Sequence, residues 1–258
     1  MKYILFEKNG PIGRITLNRP NQRNALSLGL MVEMQNQLNQ IATNRNIRVI
    51  IINGNGPDFC SGHDLKELVG NNHDIEHFRN IFSTSTEMMN TIHQLPQTVI
   101  AQVQGIATAA GCQLVTACDL AIADSNARFA TPGVKIGLFC VTPMVPLSRI
   151  IGRRRALDML LTGRFVSAQE AERFGLINRV VDPEKLTEET EKWAQEIAEY
   201  SLFTLGHGKK AFYEQIDYDE KTAYDYAKEE IAQNSLSEDA QEGMKSTLEK
   251  RKPIWKDR

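Results

Sequence analysis

The sequence lacks a long apolar run and carries almost no net charge. Its 258 residues include 30 Lys and Arg against 32 Asp and Glu, which gives a formal net charge of −2. A chain this balanced has no overall electrostatic attraction to nucleic acid or to an anionic membrane. No apolar stretch approaches the roughly 20 residues that a membrane-spanning helix needs. We therefore expect no membrane span, and the charge balance argues against a nucleic-acid partner.

Cysteine is also scarce, and no secretory pattern is visible. The four cysteines form no CxxC pair, and a chain this long needs no disulfide to hold a core. Glu7 and Lys8 interrupt the first apolar residues, which argues against a signal peptide, and the start is not rich in Arg and Ser as a transit peptide is. The simplest expectation is a reduced, cytoplasmic protein.

Hydrophobic residues make up 41% and charged residues 24%, as in ordinary globular domains. In the first part, short β-branched runs alternate with segments of helical periodicity. We predict strands at 12–17, 49–52, 99–103 and 120–123, and helices at 26–41, from Asp64, and at 78–93. After residue 183 only amphipathic helical patterns follow, at 186–200, 208–215, 221–233 and 237–250. This pattern predicts an α/β core over 1–182 and a helical C-terminal lobe over 183–258.

Two loops share one physical design. In 59–64 and in 105–112, small residues lead into the first turn of a helix. Helix starts expose unpaired N–H groups, and small side chains let a ligand approach that backbone. Two such N–H groups that converge would form an oxyanion hole, which stabilises negative charge on a carbonyl oxygen. The alternative is that both segments are simply tight turns.

Five ordered blocks, at 18–26, 59–65, 105–114, 118–123 and 161–176, resemble the crotonase (enoyl-CoA hydratase/isomerase) superfamily. This resemblance implies a ClpP-like spiral of ββα units followed by a helical lobe that assembles trimers or dimers of trimers. It also implies a coenzyme A thioester as substrate or ligand, with no permanently bound cofactor and no metal. The carbonyl of the thioester is expected between the N–H groups of His63 and Ala110.

The resemblance also indicates which residues contact the thioester. They are Arg23, Ala25, Ser61, Asp64, Leu65, Ala109, Pro132 and Gly133. For the phosphates of coenzyme A, Arg19, Arg23, Lys209 and Lys210 are candidates, although exposed basic residues are usually only solvated.

The sequence departs from the hydratases of this family where they keep their acids. Hydratases use two glutamates, and these positions are occupied by Gln113 and Gly133; a third acid of some relatives corresponds to Val141. An amide orients a water but does not accept its proton at neutral pH. General acid–base assistance is worth about 10²–10⁴-fold per group, so we expect little ordinary hydration. Gln113 stays a candidate site residue for orienting water.

Several side chains have two interpretations. The imidazole of His63 is either a new general base or a group that only packs while its backbone acts. Asp64 is better explained as a helix cap than as a catalytic acid. Cys112 and Cys140 have no cationic neighbour in the sequence and are better explained as buried thiols. Thr142 either donates a hydrogen bond in the pocket or satisfies a turn.

The spacing of His73 and His77 would suit a metal only with a third ligand, which is not evident. Function therefore has three candidates: an acyl-CoA enzyme of lyase or isomerase type that polarises the thioester, a non-catalytic acyl-CoA binder that acts as sensor or carrier, or an RNA-interacting or scaffold protein, against which the charge balance argues.

Overall fold

The computed structural model describes residues 2–69 and 74–258. Its strands and helices alternate through the first two thirds of the chain, as predicted. The strands are β1 (Ile4–Asn9), β2 (Ile12–Leu17), β3 (Val49–Gly54), β4 (Thr98–Val103), β5 (Ile106–Thr108), β6 (Leu120–Asp124), β7 (Arg128–Ala130), β8 (Val166–Ser167) and β9 (Arg179–Val181). The four predicted strands correspond to β2, β3, β4 and β6.

Two sheets stand next to each other. The larger has the strand order β1-β2-β3-β4-β6-β9, and the smaller has the order β5-β7-β8. Apart from the β1–β2 hairpin, the strands of the larger sheet pair in parallel. Parallel strands need helical crossovers that cover both faces of the sheet, which explains why β3 and β4 are buried almost throughout.

The helices of the α/β part are α1 (Leu28–Ala42), α2 (Leu65–Leu68), α3 (Ile75–Gln94), α4 (Ala110–Ala117), α5 (Val141–Ile151), α6 (Arg153–Thr162) and α7 (Ala168–Phe174). Ser27 caps α1 and Asp64 caps α2, each by accepting a backbone N–H. The capping prediction for Asp64 is thus confirmed, although the helix that it opens has only one turn.

The C-terminal part is helical, as predicted: α8 (Leu186–Ala198), α9 (Leu202–Gln215), α10 (Glu220–Asn234) and α11 (Glu238–Leu248). Helix α9 begins six residues before the predicted start at Gly208, because the helix continues through Gly206, which packs against Pro96. Leu186, Ala194 and Ala198 of α8 pack on the outer face of the large sheet, against Val49 and Ile51. The boundary at residue 182 remains a prediction.

The main core lies between the large sheet, α1, α3 and α4, and it includes Leu17, Leu30, Met88, Val103 and Leu114. No helix in the described ranges is long and apolar enough to cross a membrane. The core holds α4 against the sheet, so the start of this helix has a fixed place at the edge of a cavity.

Candidate functional site

Segment 60–64 runs between two other segments and binds both through its backbone. The N–H of Ser61 donates to the carbonyl of Arg23 over 3.0 Å, and the N–H of Leu26 donates to the carbonyl of Gly62 over 2.8 Å. On the other side, the N–H of Thr108 donates to the carbonyl of Cys60 over 2.9 Å. This pairing fixes the position of residue 63 relative to the start of α4.

The two small-residue loops touch at glycine positions. Gly62 has φ of +98°, and a Cβ added to it would lie 2.9 Å from the Cβ of Ala109 and 3.2 Å from the N atom of Ala110. A Cβ on Gly111 would overlap the carbonyl of Cys60. Because both glycines lack a side chain, the peptide before His63 and the peptide before Ala110 come close together.

Ala109 adopts a backbone conformation that is rare for any residue other than glycine. Its φ is 50° and its ψ is −119°, and it precedes the first residue of α4. Strain of this kind costs on the order of 1–3 kcal/mol and concentrates at functional sites. The ψ angle of Ala109 orients the next peptide, so this strained residue determines where the N–H of Ala110 points.

The backbone N–H groups of His63 and Ala110 donate to no acceptor within the described residues. The N–H of Ala110 is free because it lies in the first turn of α4. The next N–H group along the chain, that of Asp64, is satisfied, because it donates to the carbonyl of Leu26 over 3.1 Å. Two adjacent free donors of this kind can bind one carbonyl oxygen.

Both donors lie on a cavity of about 480 Å³, which we call the first cavity. Seven of the eleven predicted site residues line it: Ser61, His63, Leu65, Ala109, Ala110, Pro132 and Gly133. Sequence reasoning missed Leu68 and Phe82, which close one side, and a run from Lys135 to Phe139. The signal for that run was available, because 134–139 is apolar except for Lys135 and directly follows a predicted contact residue.

No Asp or Glu lines the first cavity among the residues that the structure describes. Its polar side chains are Ser61, His63, Lys135 and Thr142. The cavity therefore suits an apolar group, with a few polar contacts at defined points.

The imidazole of His63 packs edge-on against the ring of Phe82, with 5.3 Å between centroids and 85° between planes. Both ring nitrogens are buried and have no hydrogen-bond partner. Burial lowers the pKa of His63 to about 4, so the ring is neutral at pH 7. A neutral imidazole has one donor and one acceptor nitrogen, and both are unsatisfied here.

Gln113 and Gly133 differ in their surroundings. Gln113 is 5% exposed, its Oε1 has no partner, and it lies on a second cavity of about 860 Å³ rather than on the first. Thr142 lines both cavities. Gly133 lies in the first cavity, and a Cβ there would overlap the carbonyl of Leu138 and lie 2.9 Å from the Sγ of Cys140.

Three further predicted contact residues, Arg23, Ala25 and Asp64, do not line the first cavity. Arg23 has an exposed guanidinium, 3.5 Å from Asp58. Ala25 is buried, and its carbonyl accepts a hydrogen bond from Arg19 over 2.6 Å. Asp64 pairs with Arg19 over 2.8 Å; burial alone would raise the pKa of Asp64, but the hydrogen bonds from Arg19 and from the N–H of Lys66 lower it.

Two of the four basic candidates for phosphate binding are largely buried and held by partners within the chain, whereas Arg23 stays exposed beside Asp58. The guanidinium of Arg19 binds Asp64 and the carbonyl of Ala25. The ammonium of Lys209 is buried and binds Asp119 over 2.7 Å, together with two backbone carbonyls. The structure therefore does not support phosphate contacts for these two residues. Arg23 and Lys210 remain candidates.

All four cysteines are reduced and buried. Burial raises the pKa of Cys112 to about 12 and also raises the pKa of Cys140, so neither thiol supplies a thiolate at neutral pH. The interpretation of both as buried thiols is confirmed. His73 lies outside the described residues, and within them no group of three or more potential metal ligands occurs.

Comparison with known proteins gives a consistent result. The model of the family "Enoyl-CoA hydratase/isomerase" matches residues 7–258. The chain is 45% identical to rat "Enoyl-CoA hydratase domain-containing protein 3, mitochondrial" over 244 residues, which are 95% of this chain and 81% of the relative. The human protein of the same name is 44% identical over 244 residues, 95% of this chain and 80% of the relative. The sequence resembles this group of proteins at 107–114, 130–134 and 137–140. The identity to the rat and human relatives confirms that resemblance.

Solved structures agree with the crotonase architecture expected from the sequence blocks. The crystal structure of human enoyl-CoA hydratase domain-containing protein 3 superposes with a TM-score of 0.96 at 42% identity, covering 98% of this chain and 100% of that one. An enoyl-CoA hydratase from Mycobacterium smegmatis gives a TM-score of 0.95 at 42% identity, covering 99% of both chains. The predicted fold class is confirmed.

One expectation is wrong. The sequence composition predicted a cytoplasmic protein, but the vertebrate relatives at 44–45% identity are named as mitochondrial. Charge balance and scarce cysteine are shared by proteins of both compartments, so they did not distinguish between them.

Proposed function

Because the chain belongs to the enoyl-CoA hydratase/isomerase family, we propose that it binds an acyl-CoA thioester and polarises its carbonyl between the N–H groups of His63 and Ala110. The observation that carries this proposal is the pair of unsatisfied N–H groups on one cavity wall, held close by Gly62. Preorganised donors of this kind stabilise the negative charge that develops on a thioester oxygen.

Ordinary hydration is expected to be weak. The positions of the two hydratase glutamates are Gln113 and Gly133, and no carboxylate lines the first cavity within the described chain. With two general acid–base groups missing, hydration of crotonyl-CoA should fall at least about 100-fold below that of a hydratase with both glutamates. Loss of the enoyl-thioester absorbance measures this rate, and turnover at the level of such a hydratase would refute the expectation.

Binding through the carbonyl has its own test. Isothermal titration compares butyryl-CoA with the thioether analogue that has a methylene in place of the carbonyl. Loss of two hydrogen bonds of ordinary strength should weaken binding about tenfold or more. Equal affinity for the two ligands would show that the N–H pair does not bind the carbonyl.

The second candidate is a non-catalytic acyl-CoA binder, a sensor or carrier. The acid-free first cavity favours it, since binding needs the two N–H groups and the apolar walls but no proton acceptor. Retention of an acyl-CoA without conversion after prolonged incubation would support this candidate. Any product formed in proportion to the protein present would exclude it.

We also propose self-association as a trimer or a dimer of trimers. Large apolar side chains are exposed on and near α5, α6 and the C-terminal helices, among them Val145, Leu161, Phe212, Ile231 and Leu248. Exposed apolar surface of this extent is typical of interfaces between subunits. Light scattering after size-exclusion chromatography measures the mass, and a monomer at micromolar concentration would refute the proposal.

A further inference from the structure

A thioester whose carbonyl is polarised loses a proton from its α carbon only if a base stands near it. In the described lining of the first cavity, the ammonium of Lys135 has no lone pair and the hydroxyls of Ser61 and Thr142 are very weak bases. Burial raises the pKa of the Cys140 thiol, which keeps it protonated. The imidazole of His63 is the one group left that offers a basic lone pair at neutral pH.

The state of that imidazole suits a base. Its pKa of about 4 means that the ring is neutral at pH 7, so one nitrogen carries a free lone pair. Both nitrogens are buried, and neither has a hydrogen bond of ordinary geometry, although an interaction with the Leu26 backbone partly opposes the effect of burial on the pKa. An unsatisfied buried polar group is unfavourable, and this cost falls when a ligand supplies the missing contact.

The ring can present a nitrogen to the cavity without a change of its outline. Rotation by half a turn about the Cβ–Cγ bond exchanges Nδ1 with Cδ2 and Nε2 with Cε1. The edge-on contact with Phe82 depends on the plane of the ring, which this rotation preserves. His63 lines the first cavity and is only partly buried, so this rotation changes which ring atoms a bound acyl group would meet.

Residue 63 would then act twice. Its backbone N–H binds the thioester oxygen in the proposed function, and the α carbon of the acyl group is only two bonds from that oxygen. We propose that the imidazole of His63 is the general base that removes and returns a proton at the α carbon of the bound acyl-CoA. This inference rests on the proposed function, because it requires the thioester carbonyl to lie at the N–H pair.

The proposed step is a reversible proton transfer. The C–H bond at the α carbon breaks, its proton binds a ring nitrogen of His63, and the electron pair forms the enolate double bond. The carbonyl π electrons move to the oxygen, where the two N–H groups stabilise the charge. The reverse step returns a proton to the same carbon. In D₂O the imidazolium exchanges its proton for a deuteron, so the acyl-CoA gains deuterium and nothing else changes.

The test follows deuterium incorporation at the α carbon of butyryl-CoA in D₂O by ¹H NMR, with the intact protein in catalytic amount. His63→Phe keeps the backbone N–H and the ring contact with Phe82 but has no nitrogen. We expect exchange by the native protein above the protein-free rate, and at least about a 100-fold loss in His63→Phe. Titration of butyryl-CoA should show affinity within a few fold of the native value, because the N–H pair remains.

A second variant separates chemistry from structure. His63→Ala leaves space where the ring stood, so free imidazole added to the solution should restore part of the exchange, whereas it should not restore His63→Phe. A ring that only packs would not be replaced in this way. His207→Phe is the matched control, since His207 lies on α9, bonded to Glu230 and outside the lining of both cavities, and its exchange should equal that of the native protein.

The outcomes distinguish the two proposals. Butyryl-CoA that binds but gains no deuterium, or undiminished exchange in His63→Phe, would overturn the role of the imidazole and leave the proposed thioester binding intact. Absence of butyryl-CoA binding by the native protein would refute both. Exchange that is lost in His63→Phe and partly restored by imidazole in His63→Ala would establish the general base.

Discussion

Gln113 and Gly133 stand at the two positions where the resemblance to hydratases places glutamates, and the structure around these two positions differs. At position 113 the side chain keeps the length and shape of glutamate and only the charge is gone. At position 133 the carbonyl of Leu138 and the Sγ of Cys140 occupy the space that a Cβ would need. The first loss is chemical and the second is steric, so only the first is open to reversal by a single substitution.

The largest effect is expected at position 133. Gly133→Ala places a Cβ against the backbone carbonyl of Leu138, which cannot move without shifting the segment from Lys135 to Phe139. Overpacking of this kind typically costs about 1–3 kcal/mol of unfolding free energy, and more where backbone is the obstacle. Urea unfolding followed by circular dichroism measures the loss.

Gly208→Ala is the control for that substitution. Gly208 lies in α9 with nothing within 4 Å of an added Cβ, so alanine should stabilise the helix by about 0.5–1 kcal/mol. If Gly133→Ala were as stable as the native protein, the segment after it would be readily displaced, and the contrast between the two lost acids would disappear. Gly133→Glu should fail for the same steric reason, alone or combined with Gln113→Glu.

A smaller effect is expected at position 113. Gln113→Glu keeps the volume but places a carboxylate where the amide oxygen is buried without a partner. Burial raises the pKa of such a carboxylate, so the variant should match the native stability at pH values below the pKa of an unfolded glutamate. It should lose about 1–3 kcal/mol as the pH rises through the folded pKa. Unfolding free energies at pH 4 and pH 8 measure this difference.

The same variant tests function. A restored carboxylate should raise hydration of crotonyl-CoA above the native rate, because one of two acid–base groups is again present. An unchanged rate would mean that a group on the second cavity does not reach the acyl chain past Thr142. Gln113→Leu serves as the matched control, since it removes the polar end without adding charge.

The sequence predicts that both positions lack an acid, but it does not predict that the space at position 133 is filled. Both losses follow from the spacing of the matched blocks, and the convergence of the His63 and Ala110 segments follows from their small residues. The filling of the space at Gly133 depends on a carbonyl five residues later, whose path no local pattern specifies. Likewise, the partner of Arg19 is Asp64, which lies 45 positions away in the sequence. Because no local pattern shows this ion pair, the charge of Arg19 suggested a phosphate ligand instead.

The smallest effect is expected at Ala109, where a strained backbone rather than a side chain shapes the site. Its φ of 50° and ψ of −119° suit glycine, so Ala109→Gly should relieve strain of about 1–3 kcal/mol while adding roughly 0.5–1 kcal/mol of backbone entropy to the unfolded state. The net result should be a variant about 1 kcal/mol more stable in urea, with unchanged affinity for butyryl-CoA because the N–H of Ala110 keeps its direction. Lower stability would show that packing of the Ala109 methyl beside Gly62 contributes more than the backbone strain costs. Packing would then determine the conformation of this segment, as it does around Gly133.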